Sequence, residues 1–156
     1  MIAKAILYSL LALPACLTAE LTFSMIKPTA VQEQKTGEII AQIQQSGLKV
    51  VGLKMTLMPR AQAELFYQEH KERPFYPSVI EMITAGPVVM MVIEGDNAVL
   101  RAREIIGSID PKEATGHTIR ARFGKSRGDN AIHGSDSVAS AQREIAIFFT
   151  PNEMYQ

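Results

Sequence analysis

The amino-acid sequence predicts a single domain of the α/β class, in which β-strands and α-helices alternate along the chain. Its length of 156 residues fits one domain rather than two. Hydrophobic residues make up 47% of the chain and charged residues 21%, which is typical of a folded domain and excludes disorder as its main state. Short apolar runs separated by segments of helical periodicity favour a parallel sheet, although this spacing does not fix the strand directions.

The first half of the domain contains two predicted strands and three predicted helices. Apolar runs bounded by proline or glycine predict strands over residues 21–26 and 48–58. Apolar side chains at helical spacing predict helices over residues 36–46, 60–70 and 78–84. The order of these elements is strand, helix, strand, helix, helix.

The second half begins with the most apolar segment of the domain. Residues 88–94 are almost continuously apolar, which predicts a strand that is buried on both faces. Asp96 is expected to cap the helix that follows. Residues 107–130 show no clear periodicity and are rich in glycine and basic residues, which indicates a functional loop suited to anions. A short strand over 130–133 and a helix over 137–149 complete the domain.

Residues 1–19 stand apart from the domain that we assign to residues 20–156. One positive charge, Lys4, precedes a long apolar stretch with the small residues Ala15 and Ala19 near its end, which is the pattern of a secretory signal peptide. An upstream extension produced by a wrongly chosen start explains the same pattern. The sequence contains no run of 18 apolar residues, so it predicts no segment that spans a bilayer.

Charge and cysteine content exclude several classes of function. Sixteen basic and sixteen acidic residues give a net charge of zero, which argues against bulk attraction to nucleic acid or to an anionic membrane. We therefore expect no stable partner of either kind. The single cysteine, Cys16, excludes an internal disulfide framework and a cysteine-based metal cluster.

His133 is the strongest candidate for a catalytic residue among the three histidines. It stands in the segment Asn130-Ala131-Ile132-His133-Gly134-Ser135-Asp136, after a short apolar strand and before a helix. A neutral imidazole at such a position is a nucleophile if a carboxylate or a hydroxyl orients its other nitrogen. Glu144, on the following helix, is a candidate for the orienting group. His70 and His117 are expected to be surface or packing residues.

Several segments taken together resemble the nucleoside diphosphate kinase family. The segment 130–136 resembles the active-site signature of that family. The other segments match it in order and spacing, and they lie at residues 24–28, 66–71, 73–75, 85–89, 107–111 and 118–120. The resemblance extends over about residues 20–150, which is nearly the whole chain apart from the N-terminal extension.

The resemblance implies a fold and a reaction. The fold is a ferredoxin-like α/β sandwich, with a four-stranded antiparallel sheet flanked by helices in place of the parallel sheet. The reaction transfers the terminal phosphate of ATP or another nucleoside triphosphate to nucleoside diphosphates, which maintains nucleoside triphosphate pools. The transfer follows a ping-pong course through a phosphohistidine. Mg²⁺ is expected to arrive on the nucleotide, because no dedicated carboxylate cage is visible in the sequence.

The resemblance also implies a role for each of nine residues. His133 is the nucleophile, Ser135 and Glu144 hold and tune it, and Tyr67 places its hydroxyl near the imidazole. The nucleotide is expected to be bound by Lys27, Phe75, Arg103, Arg120 and Asn130. In that second group the three cations contact phosphates, the phenylalanine stacks on the base and the asparagine reaches the sugar hydroxyls.

Two residues depart from the family pattern. Thr29 stands where the family normally has aspartate. Ile109 stands in the turn where the family has a threonine that contacts phosphate, and an isoleucine side chain donates no hydrogen bond. We therefore expect an active enzyme with weakened phosphate binding.

Alternatives to this function, and the partners of the chain, complete the expectations. One alternative is a family member that binds nucleotide with weakened or no turnover, and another is a ferredoxin-like RNA-binding module that uses the locally basic residues 107–130. The resemblance implies a homohexamer or a homotetramer. Because the reaction consumes ATP, we expect a cytoplasmic location, with export as the alternative if residues 1–19 act as a signal peptide.

Overall fold

The structure is a computed structural model that describes residues 19–155. Its strands are Glu20–Ile26 (β1), Lys49–Leu57 (β2), Pro87–Gly95 (β3) and Ile132–Gly134 (β4). Its helices are Pro28–Gln32 (α1), Thr36–Gln45 (α2), Arg60–Phe66 (α3), Tyr76–Thr84 (α4), Ala98–Ile106 (α5), Ile119–Phe123 (α6) and Val138–Phe148 (α7), with short 3₁₀ turns at Gln68–His70 and Pro151–Glu153. The signal-like segment lies outside the described residues except for Ala19.

The four strands form one sheet in the order β2-β3-β1-β4, and every neighbouring pair is antiparallel. The antiparallel sheet implied by the family resemblance is therefore confirmed, and the parallel sheet favoured by element spacing is wrong. The reason lies in the strand order. β1 and β2 run in the same direction, as a helical crossover requires, but β3 lies between them and pairs with both in the opposite direction.

The central strand β3 is buried on both faces, as its apolar run predicts. Because side chains alternate along a strand, Val88, Met90 and Val92 face one layer of helices, while Val89, Met91 and Ile93 face the other. The first layer includes residues of α3, α4 and α7, and the second includes residues of α1, α2, α5 and α6. The sheet is thus flanked by helices on both sides, with one apolar core on each face.

The start of α5 differs from the expected cap. The residue before the helix is Asn97, with a φ of +51°, and its side chain makes no capping hydrogen bond. Instead, the Val99 N–H donates to Glu20 Oε1 at 2.7 Å, so a carboxylate from β1 satisfies the helix N-terminus. Asp96 is therefore not the cap, because the acceptor comes from a strand that is distant in sequence.

No helix within residues 19–155 combines the length and the apolarity that a bilayer crossing demands.

Candidate active site

A cleft of about 270 Å³ opens where β4 meets the helices α3, α5 and α7. Its walls include Tyr67, Arg103, Ile109, Arg120, His133 and Glu144. Five of these six were predicted to be site residues, and they are separated by up to 77 positions in sequence. Four larger grooves lie elsewhere on the described surface; three contain none of the nine predicted residues, and the fourth contains Arg103 alone.

His133 enters this cleft from β4, with one ring nitrogen engaged and the other available. Its Nε2 lies 2.8 Å from Glu144 Oε2, and the same oxygen accepts a hydrogen bond from Ser135 Oγ at 2.8 Å. Phe66 packs edge-on against the imidazole, with 4.9 Å between ring centroids. No hydrogen bond from the described residues reaches Nδ1. The geometry therefore leaves Nδ1 as the nitrogen that can react.

The hydrogen-bond partners of Glu144 and Ser135 hold the imidazole in place. The carboxyl group is buried, and Ser135 is anchored in turn because its hydroxyl oxygen accepts a hydrogen bond from the Phe23 N–H of β1 at 3.2 Å. An ionised carboxylate only accepts hydrogen bonds, so it requires the proton of a neutral imidazole to sit on Nε2. This tautomer carries its lone pair on Nδ1.

A strained turn precedes β4. Ala131 is buried with a φ of +69°, and the Ile132 N–H donates to the Asn130 carbonyl at 2.9 Å, which closes a γ-turn. A non-glycine residue in this region costs about 1–3 kcal/mol and persists only where its surroundings hold it. Here the Ala131 carbonyl accepts a hydrogen bond from the Lys27 N–H at 2.9 Å. The end of β1 thereby helps to fix the turn that delivers His133.

Two buried cations lie beside the turn. The Lys27 ammonium donates to the Gly128 carbonyl at 3.2 Å, and its burial, followed by the charge of Arg120, lowers its pKa to about 8, while Asp129 opposes the shift. Arg120 donates through Nη1 to the Gly107 carbonyl and through Nη2 to the Ile132 carbonyl, both at 3.0 Å. Burial, followed by the charge of Arg103, lowers the Arg120 pKa to about 10. Burying two positive charges lowers the stability of the fold unless a negative charge offsets them, and such an arrangement is typical of a site that binds an anion.

Tyr67 and Arg103 also line the cleft. Tyr67 is buried, and its burial, together with the charge of Glu144, raises the pKa of the phenol. The hydroxyl therefore stays protonated at neutral pH. Arg103 lies in α5 and is exposed, and its side chain lines the same cleft as His133.

The remaining predicted residues lie around the cleft rather than in its wall. Asn130 donates through Nδ2 to the Ile109 carbonyl at 3.1 Å, and its buried Oδ1 has no partner among the described residues. Phe75 is half exposed and lies 5.7 Å from His70, measured between ring centroids. Thr29, the other departure from the family pattern, lies in α1 and does not line the cleft.

Three charged residues of the cleft were not predicted as site residues: Glu69, Asp136 and Arg143. Arg143 lines the cleft from α7, directly before Glu144. A signal was available, because Ser140, Arg143 and Glu144 follow the spacing of one face of α7, in line with Asp136 just before the helix. The other face of α7 is apolar and carries Ala141, Ile145 and Phe148. All four polar residues line the cleft.

A carboxylate-held imidazole that shares a cleft with arginines defines an enzyme site for nucleophilic attack on an anionic substrate. Comparisons with known proteins give the particular family. The family model described as nucleoside diphosphate kinase matches residues 20–154. The chain belongs to the nucleoside diphosphate kinase family.

Relatives and solved structures agree with this assignment. The chain is 46% identical over 138 residues to the nucleoside diphosphate kinase of Bdellovibrio bacteriovorus and equally to nucleoside diphosphate kinase 1 of Protochlamydia amoebophila, which covers 88% of this chain and 98% of each relative. The Aquifex aeolicus nucleoside diphosphate kinase structure superposes with a TM-score of 0.86 at 41% identity, covering 88% of this chain and all of that one. A halophilic nucleoside diphosphate kinase from Halobacterium salinarum, in complex with CDP, gives a TM-score of 0.86 at 38% identity over 88% and 92% of the two chains.

The family assignment establishes the activity at the level of the reaction. The chain is a phosphotransferase that moves the terminal phosphate of a nucleoside triphosphate to a nucleoside diphosphate. Its fold is the one expected from the resemblance. These family matches support an enzymatic function rather than that of an RNA-binding module.

Proposed function

We propose that His133 is the residue that carries the phosphoryl group in a ping-pong reaction. The Nδ1 lone pair forms a bond to the terminal phosphorus of the nucleoside triphosphate. The bond from that phosphorus to the bridging oxygen breaks, and the nucleoside diphosphate leaves with the electron pair. In the second half-reaction a terminal phosphate oxygen of another nucleoside diphosphate attacks the same phosphorus, and the P–N bond electrons return to Nδ1.

The observation that carries this proposal is the pairing of His133 Nε2 with Glu144 Oε2 at 2.8 Å. It assigns the proton of the neutral ring to Nε2 and directs the basic nitrogen to the open side. When Nδ1 forms its bond to phosphorus, the ring becomes positively charged, and the adjacent carboxylate stabilises that charge. Ser135 fixes the carboxylate at the same oxygen, so the two act together as supports of the nucleophile.

The predicted binding residues fit the phosphates and the nucleoside in different ways. Arg103 and Arg120 line the cleft that His133 enters, and Lys27 lies beside Arg120, so their charges match an anionic phosphate chain. Phe75 offers a half-exposed ring at the rim, which suits stacking on a base without selecting among bases. The unpartnered Oδ1 of Asn130 is an acceptor suited to a sugar hydroxyl.

The family generally works with a divalent metal, and we propose that Mg²⁺ binds through the nucleotide. No group of three or more candidate ligands that could hold a metal ion occurs within residues 19–155. Glu144, in the cleft wall, is already committed to His133 and Ser135. This donor chemistry fits an ion whose ligands are mainly phosphate oxygens and water, and such an ion neutralises charge on the transferring group.

Labelling with [γ-³²P]ATP tests the assignment of His133. The wild-type protein is expected to acquire acid-labile, base-stable label, and release of that label to a nucleoside diphosphate should follow. His133→Asn should abolish both the label and the turnover, because the supporting carboxylate remains but the nucleophile is gone. His70→Asn and His117→Asn are the matched controls and should keep the label. Normal exchange by His133→Asn would overturn the proposal.

We further propose that the enzyme is a homohexamer or a homotetramer and works in the cytoplasm. The exposed edge strand β2 supports self-association, because Leu53, Met55 and Leu57 project from it into solvent on one face. Sedimentation velocity should give a mass of four or six chains, and a monomer at micromolar concentration would contradict this. Sequencing the N-terminus of the native protein should show residues 1–19 still attached, whereas their absence together with recovery of the protein outside the cytoplasm would indicate export.

A further inference from the structure

Arg143 connects the carboxylate of Glu144 to the 3₁₀ turn Gln68–His70. Its Nη2 lies 3.7 Å from Glu144 Oε1 and 3.4 Å from Glu69 Oε2, in the 3₁₀ turn that follows α3. Its Nη1 donates to the Phe66 carbonyl at 3.5 Å. The guanidinium is thus held between two helical segments and partly shielded from solvent.

The two oxygens of Glu144 have different partners. Oε2 is shared by His133 and Ser135, whereas Oε1 has Arg143 as its only cation within 4 Å among the described residues. When the imidazole is neutral, Arg143 is therefore the only positive charge within residues 19–155 that is in salt-bridge contact with this buried carboxylate. A carboxylate buried without a cation is strongly disfavoured.

We propose that Arg143 is a positioning residue for the reaction: it fixes the rotation of the Glu144 carboxylate so that Oε2 remains on His133 Nε2. This proposal rests on His133 being the phosphorylated residue. With Oε2 held, the ring proton stays on Nε2 and the lone pair of Nδ1 stays available to the substrate. Without the guanidinium, the carboxylate can turn, the hydrogen bond to Nε2 weakens, and the tautomer with its proton on Nδ1, which cannot attack, gains population.

Arg143 lines the same cleft as the phosphate-binding arginines, so a direct contact with nucleotide is the competing role. The two roles predict different kinetics. Loss of a nucleotide contact raises KM or weakens nucleotide binding, whereas loss of a positioning group lowers the rate of phosphoryl transfer at saturating nucleotide. A purely structural role lowers stability and leaves the tautomer of the surviving folded protein unchanged.

The experiment combines kinetics with ¹⁵N NMR of the imidazole. Arg143→Met keeps much of the side-chain length and removes the charge. We expect the rate of His133 phosphorylation to fall by about ten- to a hundredfold, by analogy with the loss of an outer partner that orients a metal-binding histidine. KM should change by less than about twofold. The ¹⁵N shifts of His133 should move from an Nε2–H pattern towards a mixture of tautomers, and Arg143→Lys should recover part of both effects.

Arg60→Met is the matched control, because Arg60 forms an exposed ion pair with Glu64 on α3 and does not line the cleft. Its rate and tautomer should equal those of the wild type. If Arg143→Met does not fold, Glu69→Gln tests the same support from its outer end and should shift the tautomer in the same direction. An unchanged tautomer in every folded variant, or a raised KM with unchanged kcat, would overturn the proposal. Phosphate found on a residue other than His133 in the wild type would instead overturn the function proposed above.

Discussion

Replacing Ile109 by threonine should make this enzyme faster. Ile109 lines the cleft beside His133, and its side chain is 47% exposed, so it is not a core residue. The backbone at this position is held, because the Ile109 carbonyl accepts a hydrogen bond from Asn130 Nδ2. A hydroxyl introduced there would meet the phosphates from a fixed position, in the turn where the family resemblance places a phosphate-contacting threonine.

The structure sets the size of both expected effects. A hydrogen bond contributes about 0.5–1.5 kcal/mol, and up to about 3 when one partner is charged, so kcat/KM should rise by about three- to a hundredfold, nearer the lower end. Ile109→Thr removes part of the apolar surface that this half-exposed side chain buries, which lowers stability by about 0.5–1 kcal/mol. For a chain of this size, that corresponds to a fall in Tm of about 1–4 °C.

Steady-state kinetics and thermal unfolding on the same variants test this reasoning. Ile109→Val is the matched control, because valine and threonine have the same shape and differ by the hydroxyl. The Thr:Val ratio of kcat/KM therefore isolates the new hydrogen bond from the change in packing. Equal kcat/KM values for the two variants would refute the missing-donor explanation, even if both differ from the wild type.

Two further predictions concern the buried cations. The Lys27 pKa of about 8 lies below the value of 10.5 in an unfolded chain, so between these pH values the unfolded state binds more protons and stability rises with pH. Lys27→Met should therefore raise the free energy of unfolding at pH 7 by up to about 3 kcal/mol, while it lowers kcat/KM about ten- to a hundredfold. Denaturation at pH 10.5 should show a smaller gain in stability. Equal stability of variant and wild type at pH 7 would count against a buried charge at Lys27. Arg120→Lys should lower both activity and stability, the latter by about 1–3 kcal/mol, because one ammonium cannot serve the Gly107 and Ile132 carbonyls together, and an unchanged Tm would contradict this.

Most elements of the fold were predictable from local patterns. The double-sided burial of β3 could be inferred from its continuous apolar run, and α7 could be placed because Ala141, Ile145 and Phe148 follow a helical spacing. Strand direction was not available from element spacing, because β3 comes from a later part of the chain and inserts between β1 and β2. The helices α1 and α6 were missed because five residues each are too few to show a helical period.

The composition of the site was more predictable than its geometry. The resemblance around His133 identified residues that the structure then brings to one cleft, including Tyr67 and Arg103 from distant helices. The contact of Arg143 with Glu144 Oε1 was not predictable, since neighbouring residues on a helix usually point in different directions. The distinction between Nε2 and Nδ1 likewise depends on how α7 packs against β1 and β4, which is a tertiary contact.

The γ-turn at Ala131 constrains which amino acids the position can accept. Its positive φ favours glycine or asparagine, whereas its full burial favours a small apolar side chain. A larger β-branched residue satisfies neither requirement. Glycine would remove the backbone strain, but it would also increase the conformational entropy of the unfolded chain, which lowers stability. Alanine thus meets the packing requirement of the buried position at the cost of some backbone strain. Position 131 touches no substrate in the proposed mechanism, yet its tolerance to substitution should be as narrow as that of a residue that does.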